Sequence, residues 1–337
     1  MGGTSNDQIA RTSHGGTSDP EAYQLYLKGR YYWEKRTKEN LDKARDHFEQ
    51  AIARDPQYAL AYVGLANYWS VVPDYSSIPQ SEARPRAKAE AEKALSLDES
   101  LPNAHLSLSS YYSNNWEWAA AEKEAKRALD IDPKLSDAHH VYGLLLSFTG
   151  RDEEAIAQLK RAAELEPVNV QYSYNLGNGY ANARRYDEAI AQWKKTLELD
   201  PNSAVTHSRL GKIYFLQGHY PEWLAEWKTS ATLFKNTQGL ALQAVAEKAY
   251  ASGGARAAVT AVIQEQMNLR AKGAYVDPTY IAYNYAFLGD ADNTFHWLDT
   301  ALQERGRGLQ YIKVTPELDP LHSDPRYRAV LKQMDLP

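Results

Sequence analysis

Cysteine is absent from all 337 residues. That excludes disulfides, thiolate metal sites and a cysteine nucleophile together, and it leaves the compartment open. No apolar run approaches the roughly 18–20 residues needed to span a bilayer, so membrane insertion is not expected. Neither sign of charge dominates: 38 Lys and Arg face 43 Asp and Glu, for a formal charge of -5. A nucleic-acid partner needs a concentrated basic face to displace counterions from phosphates. None is present, and nothing favours an anionic membrane surface either. Missing too are His-Glu-x-x-His, a phosphate-cradling Gly-x-x-x-x-Gly-Lys and Gly-x-Ser-x-Gly. Gly177-Asn178-Gly179 lies mid-helix on a repeat frame and follows no strand. No catalytic residue, metal site or cofactor is therefore expected, and the chain reads as a non-enzyme.

What the chain does have is a fixed period, the first thing to seek in a sequence of this length. Pro133, Pro167 and Pro201 are 34 residues apart, and so are Gly143, Gly177 and Gly211. Between them runs a constant frame. One unit reads Gly143, Ala155, Leu159, Ala162, Pro167; the next Gly177, Ala189, Trp193, Thr196, Pro201; the one before Ser109, Ala121, Ala125, Ala128, Pro133. Small residues at the first two positions let two antiparallel helices approach closely, and the later steps of four and three put an apolar stripe on one helical face. Asp-Pro pairs at Asp55, Asp132 and Asp200 end the second helix of their units, because the proline ring removes an N–H and restricts the residue before it.

This helix–turn–helix resembles the tetratricopeptide repeat. Asn175-Leu176-Gly177-Asn178-Gly179-Tyr180 and Tyr186-Asp187-Glu188-Ala189-Ile190 match its first and second helices. The resemblance implies a right-handed α-α superhelix, of about eight hairpins by repeat logic. The frame extends upstream through Ala44, Phe48, Ala51 and Pro56, then Tyr62, Leu65 and Ala66, with an insertion expected as a long loop around residues 71–84. Downstream, residues 238–274 read as a degenerate helical pair broken at Gly253 and Gly254, and Ala282, Tyr285, Gly289, Leu298 and Ala301 recover the pattern. Residues 1–18 read as a flexible linker, 19–315 as the solenoid and 316–337 as an extended segment followed by a C-terminal capping helix. Ser323-Asp324-Pro325 supplies that helix with an N-cap and a proline at its first position.

A narrower resemblance concerns the two ends. Residues 19–33, beginning Asp19-Pro20-Glu21-Ala22-Tyr23, and the closing Pro316-Glu317-Leu318-Asp319-Pro320-Leu321 are similar to C-terminal repeat regions of bacterial multidomain signalling and transcription regulators. It implies a cytoplasmic place if the chain stands alone, and an extracytoplasmic one if it derives from a membrane-bound regulator.

Function is then expected on a surface. In tetratricopeptide folds the first helices line the concave face, and the register places there Asn67, Asn103, Ser110, Asn114, Asp137, His140, Phe148, Gln171, Tyr174, Asn178, Asn182, Ser208, Lys212 and Phe215. Amides can pair with backbone groups while rings hold side chains, which suits a protein or peptide partner. A clamp for chaperone carboxylates needs several Lys and Arg on this face, where Lys212 stands nearly alone. His105, His139 and His207 recur at one place in their units, but stacked repeats lie too far apart for them to share an ion. They read as packing or groove-lining residues. Tyr23, Tyr26, Tyr31, Tyr32 and Trp33 make the first helix aromatic over most of its circumference. A terminal repeat is normally polar outside, so the alternative expectation is end-to-end stacking into oligomers or filaments.

Overall fold

In the computed structural model, residues 16–35, 37–76 and 78–336 are described; most of the expected linker lies outside them. The described residues contain no strand, and no helix among them is long and apolar enough to cross a membrane. The helices are α1 (Pro20–Glu34), α2 (Lys38–Arg54), α3 (Ala59–Val71), α4 (Gln80–Leu97), α5 (Pro102–Asn114), α6 (Trp118–Ile131), α7 (Ser136–Phe148), α8 (Asp152–Leu165), α9 (Val170–Asn182), α10 (Tyr186–Leu199), α11 (Ala204–Leu216), α12 (Tyr220–Leu233), α13 (Thr237–Ala271), α14 (Pro278–Leu288), α15 (Ala291–Glu304) and α16 (Pro325–Gln333). They form successive antiparallel hairpins, as the period predicts. Two compact units divide the chain, residues 1–142 and 143–337.

In the first unit the frame residues are the core. Ala44, Phe48 and Ala51 of α2, Ala87, Ala91 and Ala94 of α4, and Ala121, Ala125 and Ala128 of α6 are all buried. Phe48 shows how small residues set helix spacing. Its ring lies against both Gly29 and Gly64, where an added Cβ would sit within 2.5 Å and 2.6 Å of it. Where Ser109 replaces the glycine of the frame, its hydroxyl donates to the Ala121 carbonyl at 2.9 Å, so a polar group is carried into the interface with its bond made.

The turns between hairpins owe more to aspartate than to proline. Asp55, Asp132 and Asp200 each cap a helix in extended conformation, and each carboxylate accepts the N–H two residues on, at 3.0, 2.9 and 3.1 Å. Asp98 does the same for Ser100 at 2.9 Å, although Glu99 stands where the proline would be. The Asx turn alone makes the corner.

The expected insertion at residues 71–84 is largely helical. A 3₁₀ turn, Val72–Asp74, follows α3, and α4 begins at Gln80, early enough to take Pro85 inside it. Of the described residues between them, 75, 76, 78 and 79 lie outside these helices.

In the second unit Gly143 receives Leu159 and Gly177 receives Trp193, the largest fully buried side chain of the described residues. The degenerate pair is one 35-residue run, α13, broken at Gly254 (φ 69°, ψ −165°). That conformation is essentially open only to glycine, which is why the break falls there. Trp223 and Trp227 pack on Leu242, Ala246, Ala258 and Val262 around it. The closing helix α16 is capped by the Asp324 carboxylate, with Pro325 at its first position. The stretch before it is not extended. It forms two 3₁₀ segments, Arg307–Val314 and Pro316–Leu321, whose side chains Leu309, Ile312 and Leu318 are fully buried.

Candidate functional site

Residues 307–321 run over the first helices of the second unit, and their anchors are specific. The Arg184 guanidinium donates to both carboxylate oxygens of Asp319, at 3.2 and 2.7 Å, and to the Val314 carbonyl at 2.7 Å. Lys313 donates to the Thr149 carbonyl at 2.9 Å. Tyr311 packs edge-on to Phe148, with ring centroids 5.4 Å apart, and lies under the Arg209 guanidinium at 5.3 Å. Glu317 contacts the Lys212 ammonium. Desolvation and the neighbouring Arg209 charge pull Lys212 down from the ordinary lysine range. Glu317 is the carboxylate in contact with it on the groove floor.

The segment therefore roofs the groove and leaves cavities beneath it. The larger of two that share Ser208 and Lys212 has a volume of about 350 Å³ and is walled by Tyr174, Asn178 and Asn182 of α9, Ser208, Arg209 and Lys212 of α11, Tyr280 and Asn284 of α14, and Tyr311 and Thr315 of the roof. The other, about 270 Å³, lies between Phe215, Trp223, Trp227 and Glu317. Burial pushes the Tyr311 hydroxyl up from the usual phenol range.

Of the residues singled out in the sequence, Tyr174, Asn178, Asn182, Ser208 and Lys212 thus meet around one cavity. Phe148 is half-buried beside them through Tyr311. Phe215 is in the core, packed on Tyr220, Trp223 and Phe287. Gln171 is exposed and does not line the cavity. In the first unit Asn67, Asn103 and Ser110 are half-buried, and Asn114 and Asp137 are exposed. The Asn67 side-chain oxygen accepts from Ser107 at 2.9 Å. Sequence register missed Arg209, although it follows Ser208 directly; Lys212 is accordingly not alone as a cation. Tyr311 and Glu317 could not be reached by register, since they belong to no repeat.

His140 is buried and offers no open surface. Desolvation lowers it from 6.5 to about 4. Its folded value lies below its unfolded one, so the unfolded chain binds the extra proton. Its contribution is complete above the unfolded value and is lost as pH falls toward 4. Stability is expected to drop by about 2 kcal/mol between pH 7 and pH 5, in urea titrations at the two values. His140→Gln should remove most of that difference.

Two of the three recurrent histidines are interhelical staples. His105 and His207 each hold a glutamate 19 residues on in the following helix, Glu124 at 2.7 Å and Glu226 at 2.6 Å. With His139 they also hold a carbonyl six residues back, at 3.3, 3.4 and 3.0 Å. On α1 the aromatic ring set is mostly turned inward. Tyr26 packs on Phe48 and Tyr58, Tyr32 stacks on His47, and Tyr23 and Trp33 are half-buried. Tyr31 and Leu27 remain exposed.

Residues 25–69, 136–169 and 185–218 match family models described as tetratricopeptide repeats. These segments are tetratricopeptide repeats. The matched repeats fall in both compact units, and the glycine notches at Gly29, Gly64 and Gly143 lie on them. No curated protein matches the chain. Among solved structures, PilW, a widely conserved type IV pilus biogenesis factor, is similar at 17% identity and a TM-score of 0.51, over 66% of this chain and 98% of that one. TTC0263, a thermophilic repeat protein of Thermus thermophilus, is 21% identical with a TM-score of 0.49, over 58% and 99%. PilF of Pseudomonas aeruginosa is 20% identical with a TM-score of 0.46, over 77% and 96%. At such identities the likeness is one of fold.

Proposed function

We propose that the chain is a protein-interaction scaffold that captures a peptide or partner protein on the first-helix face of its tetratricopeptide repeats. The observation that carries this reading is that the face already holds polypeptide in cis. Residues 307–321 lie on it, held through Arg184, Lys212 and the carbonyl of Thr149. The same kind of face in the first unit keeps the amides of Asn67, Asn103 and Asn114 at least partly open to solvent. Amides that can both donate and accept suit an extended backbone. The resemblance of the two ends supports a place among modules of bacterial regulators.

A displayed peptide library selected on the full chain tests the reading. Selected peptides are expected to lose about tenfold or more in affinity, ~1.4 kcal/mol, with Asn67→Ala and Asn103→Ala combined. Failure to enrich any peptide, or enrichment indifferent to substitutions along the first helices, would sink it.

A further inference from the structure

We propose that the cavity around Arg209 is a binding site for a small aromatic carboxylate. Its roof is a built part of the unit: Leu309 and Ile312, on either side of the roof residue Tyr311, are fully buried. The half-roofed cavity, about 350 Å³, sits at the small end of the ~300–1,000 Å³ typical of small-molecule sites. That volume suits one ring and its substituents.

The charge in it is unbalanced. Among the described residues Arg209 has no carboxylate partner. Its Nε donates to the Tyr174 hydroxyl at 3.2 Å and its guanidinium carbon lies 5.3 Å from the Tyr311 ring centroid. Several other arginines of this unit are matched, Arg184 with Asp319, Arg185 with Glu188 and Arg270 with Glu304, while Arg256 donates to the Leu288 carbonyl at 2.9 Å. The neighbouring cation, Lys212, is already occupied by Glu317. A permanently charged fork is thus left facing a tyrosine-walled cavity. A planar guanidinium in such a place is best satisfied by a carboxylate taken through two parallel hydrogen bonds. Tyr174, Tyr280 and Tyr311 supply faces and edges for a ring, and Ile213 and Leu216 close the apolar side.

The site requires no macromolecular partner, so it can fail while the scaffold reading stands, and the reverse. Titration calorimetry on the full chain with benzoate, phenylacetate, 4-hydroxybenzoate and indole-3-acetate tests it, with the corresponding primary amides and inorganic phosphate alongside. At least one acid is expected to bind saturably, its amide at least tenfold more weakly, and phosphate not to displace it. Arg209→Met should abolish binding. If circular dichroism shows that this variant is unfolded, Arg209→Lys decides, since it keeps the charge without the fork and should bind several-fold more weakly. The proposal is overturned if no acid of the panel binds at about 10 mM, if acid and amide bind equally, if phosphate competes as well as the acids, or if a folded Arg209 variant binds as before. Binding only of a peptide ending in a free phenylalanine carboxylate would also overturn it and return the cavity to the scaffold role.

Discussion

Trp193→Ala is expected to lower the unfolding free energy of the second unit by about 3–5 kcal/mol, read from urea titrations by circular dichroism. The indole is fully buried and fills the notch left by Gly177, where an added Cβ would come within 2.3 Å of its Nε1. That nitrogen donates to the Tyr174 carbonyl at 3.1 Å. Truncation therefore opens a void and removes a buried donor at once. Gly177→Ala attacks the same fit from the other side. It should cost about 1–3 kcal/mol by overpacking, and combining it with Trp193→Ala should cost less than the sum, because the methyl group enters space the indole has left. A loss below about 1 kcal/mol for Trp193→Ala would mean that the glycine–aromatic notch does not set helix spacing here.

Ile312→Ala and Leu318→Ala are each expected to destabilise by about 2–5 kcal/mol and to expose the roof to limited proteolysis near residues 307–321. Both side chains are fully buried, so the roof is held by packing more than by its ions. Arg184→Ala serves as the comparison. Its pair with Asp319 is partly exposed, worth about 1 kcal/mol or less, with a further increment for the hydrogen bond to Val314. If the apolar truncations left the protease pattern unchanged, the roof would be anchored polar-first.

Much of the architecture was legible because a repeat protein writes its nearest-neighbour contacts as a period. The frame of Gly177, Ala189, Trp193 and Thr196 gave the hairpins, Gly254 gave the break in α13, and Asp324 with Pro325 gave the closing helix. The site was legible by half. Tyr174, Asn178, Ser208 and Lys212 follow from register, one turn or one repeat apart. Arg209 was passed over because periodic reasoning selects a stripe, while a long side chain can enter a groove from beside it. The roof left no trace in the period at all. Contacts such as Arg184 to Asp319, 135 residues apart, or Lys313 to Thr149, 164 apart, join one repeat to a stretch that repeats nothing. The 71–84 insertion departs from expectation for a local reason: prolines at 73 and 79 suggest a loop, yet Pro79 directly precedes a helix start, where a missing N–H costs little.

Those long-separation contacts also bear on how the chain is made. A bare array can fold hairpin by hairpin as it emerges from the ribosome, each pair stabilised by the one before it. The second unit cannot finish that way. Its groove stays open, with Arg209 and Lys212 unroofed, until residue 321 has been synthesised and has closed a loop of more than a hundred residues. Closing so long a loop is paid for late, after local structure has formed, and the interval before closure is when the tyrosine-lined face is most available to chaperones or to neighbouring nascent chains.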